Sequence, residues 1–213
     1  MTLALGVLIS GTGTNMGAVL DAIAAGTLDA RVAVVVSNRA EARGLERARA
    51  ANVETVVLPH KAAASREAYD AAVVDVLRAA GVEWVVMAGF MRVVTPVLLD
   101  AFVDRVVNIH PALLPAFPGV DAQRQALEYG VKITGCTVHF VDAGVDSGPI
   151  IAQATVPVLE GDDRDRLAAR ILKEEHALLV ASLRAIAEGR VHLEPRGQPG
   201  ARRRVLIRGE VGP

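Results

Sequence analysis

The sequence predicts an α/β protein on a doubly wound, mostly parallel sheet, with an antiparallel C-terminal part and a long C-terminal helix. Three observations carry this. Apolar, β-branched runs alternate with stretches of helical spacing through about residue 130. Those runs are near-continuous rather than alternating, as strands covered on both faces are. Beyond that point two strand-like runs follow one another without a helix, and a long amphipathic stretch comes after them.

Each element has its own signal. Leu3–Ile9 is apolar and ends in Ser10-Gly11, and Asn15–Ala25 has helical spacing. "RVAVVVS", 31–37, is a β-branched strand, followed by a helical stretch at 41–51 and a strand at 53–59. Ser65–Ala80 opens with Ser65 as N-cap and Glu67 in the first turn, where a negative charge suits the helix dipole. "VEWVVMAGF" reads as a strand ending at Gly89, and "DRVVNIH" as the next. "ITGCTVHFV", 133–141, and "PIIAQATVPV", 149–158, joined by a loop of Asp, Gly and Ser, read as an antiparallel pair. Residues 163–188 form a long amphipathic helix that Gly189 stops, and "RRRVLIRG" reads as one late edge strand. This βαβ rhythm is Rossmann-like.

Composition narrows the function. The chain has 213 residues, 52% hydrophobic and 22% charged, which suits one compact domain over 1–213. A formal charge of −1 and 3% aromatics give no basic surface or stacking platform for nucleic acid. The Arg202–Arg204 run reads as a solvated strand edge. The single cysteine, Cys136, excludes an intrachain disulfide and fits a reducing cytoplasm. The N-terminus lacks the basic start of a signal peptide, and no apolar run approaches the ~20 residues of a membrane helix. The histidines, at 60, 110, 139, 176 and 192, show no metal-ligand spacing, so no metal is expected.

In open α/β sheets ligands gather outside the carboxyl ends of the strands. Four polar clusters fall at such ends: Ser10–Asn15, Gly89–Arg92, Asn108–His110 and the 142–148 loop. "SGTGTNMG", 10–17, follows the first strand and opens a helix. Its small residues let the N–H groups of Gly13, Thr14 and Asn15 approach a phosphate, although a tight strand-to-helix turn would use the same residues. The spacing is G-x-G-x-x-x-G, and no acidic residue ends the second strand, so a dinucleotide fits less well than a monophosphate.

"VVNIHPALLPAFPG", 106–119, carries the second signal. Asn108 and His110 are two apart, which puts both side chains on one face of a strand, and Pro111 biases His110 toward extended backbone. A lone histidine at a strand end is ordinarily structural. Here it stands beside an amide at the ligand edge, and "VDAGVDSGP" supplies Asp142 and Asp146. Either could orient the imidazole and raise its pKa. Asn and His without a hydroxyl or thiol nucleophile suit direct acyl transfer to a substrate amine. The amine attacks, Asn108 and a protonated His110 stabilise the oxyanion, and Asp146 holds the imidazolium and relays a proton.

"VLISGTGTN", "AGFMRVVTP", "VVNIHPALLPAFPG", "ITGCTVHFVDAGVDSGPIIAQATVPV" and "EEHALL" stand in the order and spacing of the phosphoribosylglycinamide formyltransferase family, which the chain resembles over about residues 5–188. The resemblance implies a formyltransferase domain over 1–213, with a phosphate-binding half (about 1–105) and a catalytic, folate-binding half (about 106–213). It implies 10-formyltetrahydrofolate as donor, phosphoribosylglycinamide as acceptor, and a monomer or homodimer. Asn108, His110 and Asp146 match the family's catalytic positions. Gly13, Thr14, Asn15 and Met16 match its acceptor-phosphate loop, and Glu175 a carboxylate at the acceptor's sugar. Arg66, Met91, Arg92, Val93, Val94, Asn108, Val141 and Asp142 match its folate side. His139, in the "VHF" strand facing the site, reads as support rather than catalysis. Ala112, where many members have Ser, and Asp121 and Gln123 depart from the pattern. The same blocks occur in methionyl-tRNA formyltransferase and formyltetrahydrofolate deformylase. The first carries an added C-terminal domain and the second a preceding one, and the chain suggests neither.

Overall fold

The computed structural model describes residues 2–195, 203–209 and 211. The chain divides into two compact units, Met1–Asn108 and Ile109–Pro213. The first contains β1 (Leu3–Ile9), α1 (Thr14–Ala24), β2 (Ala30–Ser37), α2 (Gly44–Ala50), β3 (Thr55–Val57), α3 (Arg66–Ala79), β4 (Trp84–Met87) and α4 (Pro96–Ala101). A 3-10 turn, His60–Ala62, precedes α3, and β5 (Val106–His110) straddles the division. The second unit continues with α5 (Ala122–Tyr129), β6 (Ile133–Phe140), β7 (Ile150–Pro157), α6 (Arg164–Ala187), β8 (Val191–Leu193) and β9 (Val205–Ile207). Hydrogen-bonded neighbours run β3-β2-β1-β4-β5 on the first side of the division and β6-β7 in the second unit.

The first unit is a parallel array. β1 pairs with β2 and β4, β2 with β3, and β4 with β5, all parallel. Residues 4–9 of β1 are buried without alternation, as a strand covered on both faces requires. α3 lies close over β1. A Cβ at Gly6 would collide with the Leu77 side chain and meet Val82 at 3.0 Å. Tyr69, Val73 and Leu77 recur at a spacing of four and are wholly or almost wholly buried, so they form the stripe of α3 that faces the core. Truncating a residue such as Leu77 to Ala would cost about 2–5 kcal/mol. The Ser65 hydroxyl caps the helix by accepting from the Ala68 amide at 3.1 Å, a bond of about 1 kcal/mol.

The second unit rests on an antiparallel pair. Ile133 pairs with Pro157 and Val138 with Ala152; the register then shifts so that His139 pairs with Ile150. The extra residue on β7 is a bulge, which re-aims the strand end where His139 sits. α6 packs on both strands. Asp163 caps it by accepting from the Arg166 amide at 2.8 Å. Its buried stripe runs Leu167, Ile171, Glu175, Leu178, Leu179 and Ser182, so a carboxylate occupies a core position of an otherwise largely apolar face. Among the described residues no helix is long and apolar enough to cross a membrane.

The expected alternation, the antiparallel pair and the long helix are all present. Two helices escape the sequence reading. α4 opens at Thr95-Pro96, with proline in its first turn, a position proline favours. α5 ends at Gly130 in the left-handed region, an ordinary helix stop. Both are too short for their periodicity to stand out. The late strand is not a lone edge. β9 pairs antiparallel with β8 in a separate two-stranded sheet. Arg203 Nε donates to the Glu194 carbonyl at 2.8 Å, and Arg202 lies outside the described residues.

A Cβ on Gly135 of β6 would run into the Ala154 carbonyl oxygen of β7 and crowd Leu113 at 2.9 Å. Backbone cannot yield as a side chain does. Gly135→Ala should therefore destabilise the fold by about 2–3 kcal/mol, lowering Tm by roughly 5–10 °C in a thermal melt. An unchanged Tm would mean that the two strands can spread.

Candidate active site

Asp146 is the junction of a buried cluster in the second unit. Its Oδ2 lies 3.3 Å from His110 Nδ1, and its Oδ1 lies 3.6 Å from His139 Nε2. The Gly119 amide donates to Oδ2 at 2.8 Å. His110 ends β5 and is 4% exposed, and His139 stands near the end of β6 at 2%. Each ring also meets a carbonyl on its far side. A carbonyl can only accept, so His110 Nε2–H donates to Phe117 O at 2.8 Å, and His139 Nδ1–H to Phe140 O at 2.8 Å. One carboxylate thus stands between two imidazoles whose outer nitrogens are already anchored. A proton arriving at either inner nitrogen is held against Asp146.

The loops are shaped for this. After His110 the chain passes Pro111, a cis Leu114–Pro115 bond, and Phe117 at φ 54°. Thr137 of β6 organises the first part. Its hydroxyl donates to the Ala112 carbonyl at 2.6 Å and accepts from the Leu114 amide at 3.1 Å and from Gln153 at 3.0 Å, which uses its full capacity. Gln153 also donates to the Leu114 carbonyl at 2.9 Å. Asp146 itself has φ 49°, in the left-handed region that Asp tolerates better than most residues. Asp142, the other acidic candidate, does not reach His110. It folds its own loop, accepting from Ser147 Oγ at 2.7 Å and the Gly144 amide at 3.1 Å. The orienting carboxylate is Asp146.

The electrostatics correct one expectation. Burial pushes the His110 pKa down, and this outweighs the Phe117 carbonyl and the Asp146 charge, which both favour the cation. The imidazole therefore titrates below its ordinary range, not above it. For Asp146 the balance goes the other way. Burial raises its pKa, but the bond with His139, the Gly119 amide and the charge of His110 together bring it below the usual carboxylate value.

The first unit holds the other predicted residues. α1 begins at Thr14, with Gly13 as N-cap at φ 67° and no side-chain cap. The Gly17 amide bonds to Gly13 O at 2.9 Å, so the amides of Thr14, Asn15 and Met16 precede the first closed turn. The helix has no acidic residue in its first turn. Gly13 is required here because a Cβ would meet Gly44 Cα at 2.6 Å. Asn15 is buried, and its Oδ1 has no partner among the described residues. The Met16 side chain is wholly in the core, so of this residue only the backbone could meet a ligand. Arg66 opens α3, and Met91, Arg92, Val93 and Val94 follow β4, with Met91 exposed and Val94 buried. Asn108 pairs with Met87 in the β4–β5 register. In the second unit Val141 and Asp142 follow β6, and Glu175 is buried on α6. Among the described residues no group of His, Cys, Asp and Glu could hold a metal. The Phe117 carbonyl, the Gly119 amide and Thr137 were missed in the sequence, because two of them act through backbone and a threonine in a strand gives no signal.

A family model described as formyl transferase matches residues 4–183. Phosphoribosylglycinamide formyltransferase of Escherichia coli K12 is 43% identical over 187 residues, 88% of each chain. That of Mycobacterium tuberculosis is 49% identical over 181 residues, 85% of this chain and 83% of the other. The trifunctional purine biosynthetic protein adenosine-3 of Drosophila melanogaster is 48% identical over 191 residues, 89% of this chain; the match spans 14% of that longer protein. The crystal structure of glycinamide ribonucleotide transformylase 1 from Symbiobacterium toebii superposes with a TM-score of 0.92 at 55% identity, covering 97% of this chain and 94% of that one.

The depressed pKa of His110 has a signed consequence. Below about pH 6.5 the unfolded chain takes up a proton that the folded ring resists, so stability falls with pH from there toward the folded value. Asp146 adds its own loss lower down, as pH falls below about 4 and through its folded pKa. His110→Gln should therefore lose less Tm than wild type between pH 7.5 and pH 5.5. Equal losses would show that this ring is not the titrating group.

Proposed function

The chain belongs to the formyl transferase family, and on that premise we propose that it transfers the formyl group of 10-formyltetrahydrofolate to the amine of 5-phosphoribosylglycinamide, in purine synthesis. The observation that carries the reading is the carboxylate held between two buried imidazoles. The array handles protons and supplies no nucleophile of its own. Cys136, the one cysteine, is buried with its thiol pushed up to about 12, chiefly by burial.

The substrate amine attacks the formyl carbon, and the carbonyl π pair moves to oxygen. Asn108 donates to the oxyanion. The proton lost by the attacking nitrogen passes to the His110–Asp146 pair, and the imidazolium it forms faces a carboxylate already ionised. Collapse of the intermediate breaks the bond to N10 of the folate, which takes a proton from His110 as it leaves. The products are the formamide and tetrahydrofolate. A ring that begins neutral suits this order, because it must accept before it donates.

Gly13, Thr14, Asn15 and the Met16 amide are assigned to the acceptor's phosphate, and Glu175 to its sugar. Arg66, Met91, Arg92, Val93, Val94, Val141 and Asp142, with Asn108, are assigned to the folate. The whole of 1–213 is read as one formyltransferase domain, with its phosphate-binding half at about 1–105 and its catalytic half at about 106–213. It would act in the cytoplasm as a monomer or homodimer, on small molecules and without metal or nucleic acid.

Purified protein incubated with both substrates should release tetrahydrofolate only when phosphoribosylglycinamide is present. Release without the acceptor would indicate hydrolysis instead, and no release would overturn the reading. In the same assay His110→Ala and Asp146→Asn should each lower kcat by at least ~10². A His110→Ala variant near wild type would remove that ring from the mechanism.

A further inference from the structure

The segment 91–95 after β4 has no regular structure, yet it is tied down by side chains from two other elements. Ser10 Oγ, at the end of β1, accepts from the Met91 amide at 2.9 Å. Three residues on α3 hold the rest. Arg66 Nη2 donates to the Val93 carbonyl at 3.1 Å. Asp70, 3% exposed, accepts the Thr95 amide at 2.5 Å through Oδ2. The Tyr69 ring carries the Arg92 guanidinium 4.6 Å from its centroid. These three stand at i, i+3 and i+4, one face of the helix. Met91 and Val93 remain 68% and 46% exposed. A backbone fixed at both ends thus presents two large apolar side chains outward.

We propose that Tyr69 and Asp70 are positioning residues for the formyl donor, acting through segment 91–95. The proposal rests on the reading that this segment meets the folate. The two work differently. Tyr69 contributes its ring. Its hydroxyl is buried and, among the described residues, makes no hydrogen bond, and Arg92 Nε likewise has none. The guanidinium is therefore placed by stacking on the ring face. Asp70 fixes the far end of the segment by its carboxylate, at the amide where α4 begins.

The test is steady-state kinetics with 10-formyltetrahydrofolate and phosphoribosylglycinamide varied in turn, on wild type, Tyr69→Leu, Tyr69→Phe and Asp70→Asn. Hydrogen exchange across 91–95 is followed in the same samples. Tyr69→Leu and Asp70→Asn should raise the KM for the donor roughly tenfold while that for the acceptor stays within about twofold. Exchange across the segment should quicken. Tyr69→Phe, which keeps the ring, should behave as wild type in both. Unchanged donor KM in a folded Tyr69→Leu, or a parallel rise in both KM values, would overturn the proposal, as would unchanged exchange. Wild-type turnover checks the functional reading separately. If wild type is inactive while exchange still quickens, the clamp on the segment stands and its assignment to a folate falls.

Discussion

The second unit is organised around one ion, the Asp146 carboxylate. Its two oxygens serve three partners on different stretches of chain: an imidazole on β5, an imidazole on β6 and a loop amide at Gly119. A buried carboxylate is costly unless its lone pairs are matched, and here the matching groups outweigh the burial. The arrangement also explains backbone that would otherwise look wasteful. Phe117 in the left-handed region offers its carbonyl to His110, Asp146 itself is left-handed, and the bulge lies opposite His139, so the irregular backbone gathers around that one group.

The first unit solves a different problem with related means. Its glycine loop must let backbone pass close to backbone, so Gly13 and Gly44 face each other where no side chain fits. Its 91–95 segment carries Met91 and Val93 outward, and α3 holds it in place with a carboxylate, an aromatic face and an arginine. Both loops begin at the carboxyl ends of strands, where successive βα connections converge.

How much of this was legible in the sequence follows from what carries each feature. Periodicity located the strands and the long helices, because burial on two faces or on one stripe imposes a pattern on side chains. α4 and α5 were lost because so few turns leave no pattern. Ser65 and Asp163 as caps were readable from residue type, though the second fell inside a helix boundary rather than being named. His110 and Asp146 could be paired as candidates, because both are titratable and lie in polar clusters. Spacing alone left Asp142 and Asp146 both open and the family pattern picked Asp146; the coordinates supply the physical reason, since the two lie four residues apart in one loop and differ in which way the turn aims them. The direction of the His110 shift was misread for a related reason. Sequence shows a charged neighbour but not the burial that competes with it. Glu175 shows the reverse case. Its place in an apolar stripe is visible by spacing once the phase of α6 is known, yet the family pattern, not the periodicity, drew attention to it.

Cys136 gives the molecule a practical property. It is the one thiol in the chain, it is fully enclosed in β6, and burial keeps it protonated far above neutral pH, with Glu175 adding to the effect. Reagents that attack thiolates find almost none to attack. The native chain is therefore a silent background for chemical labelling. A cysteine introduced at Val120, 76% exposed on the loop after Gly119, would be the single site a maleimide dye or nitroxide modifies. The segment whose carbonyl and amide meet His110 and Asp146 could then be watched directly as ligands come and go.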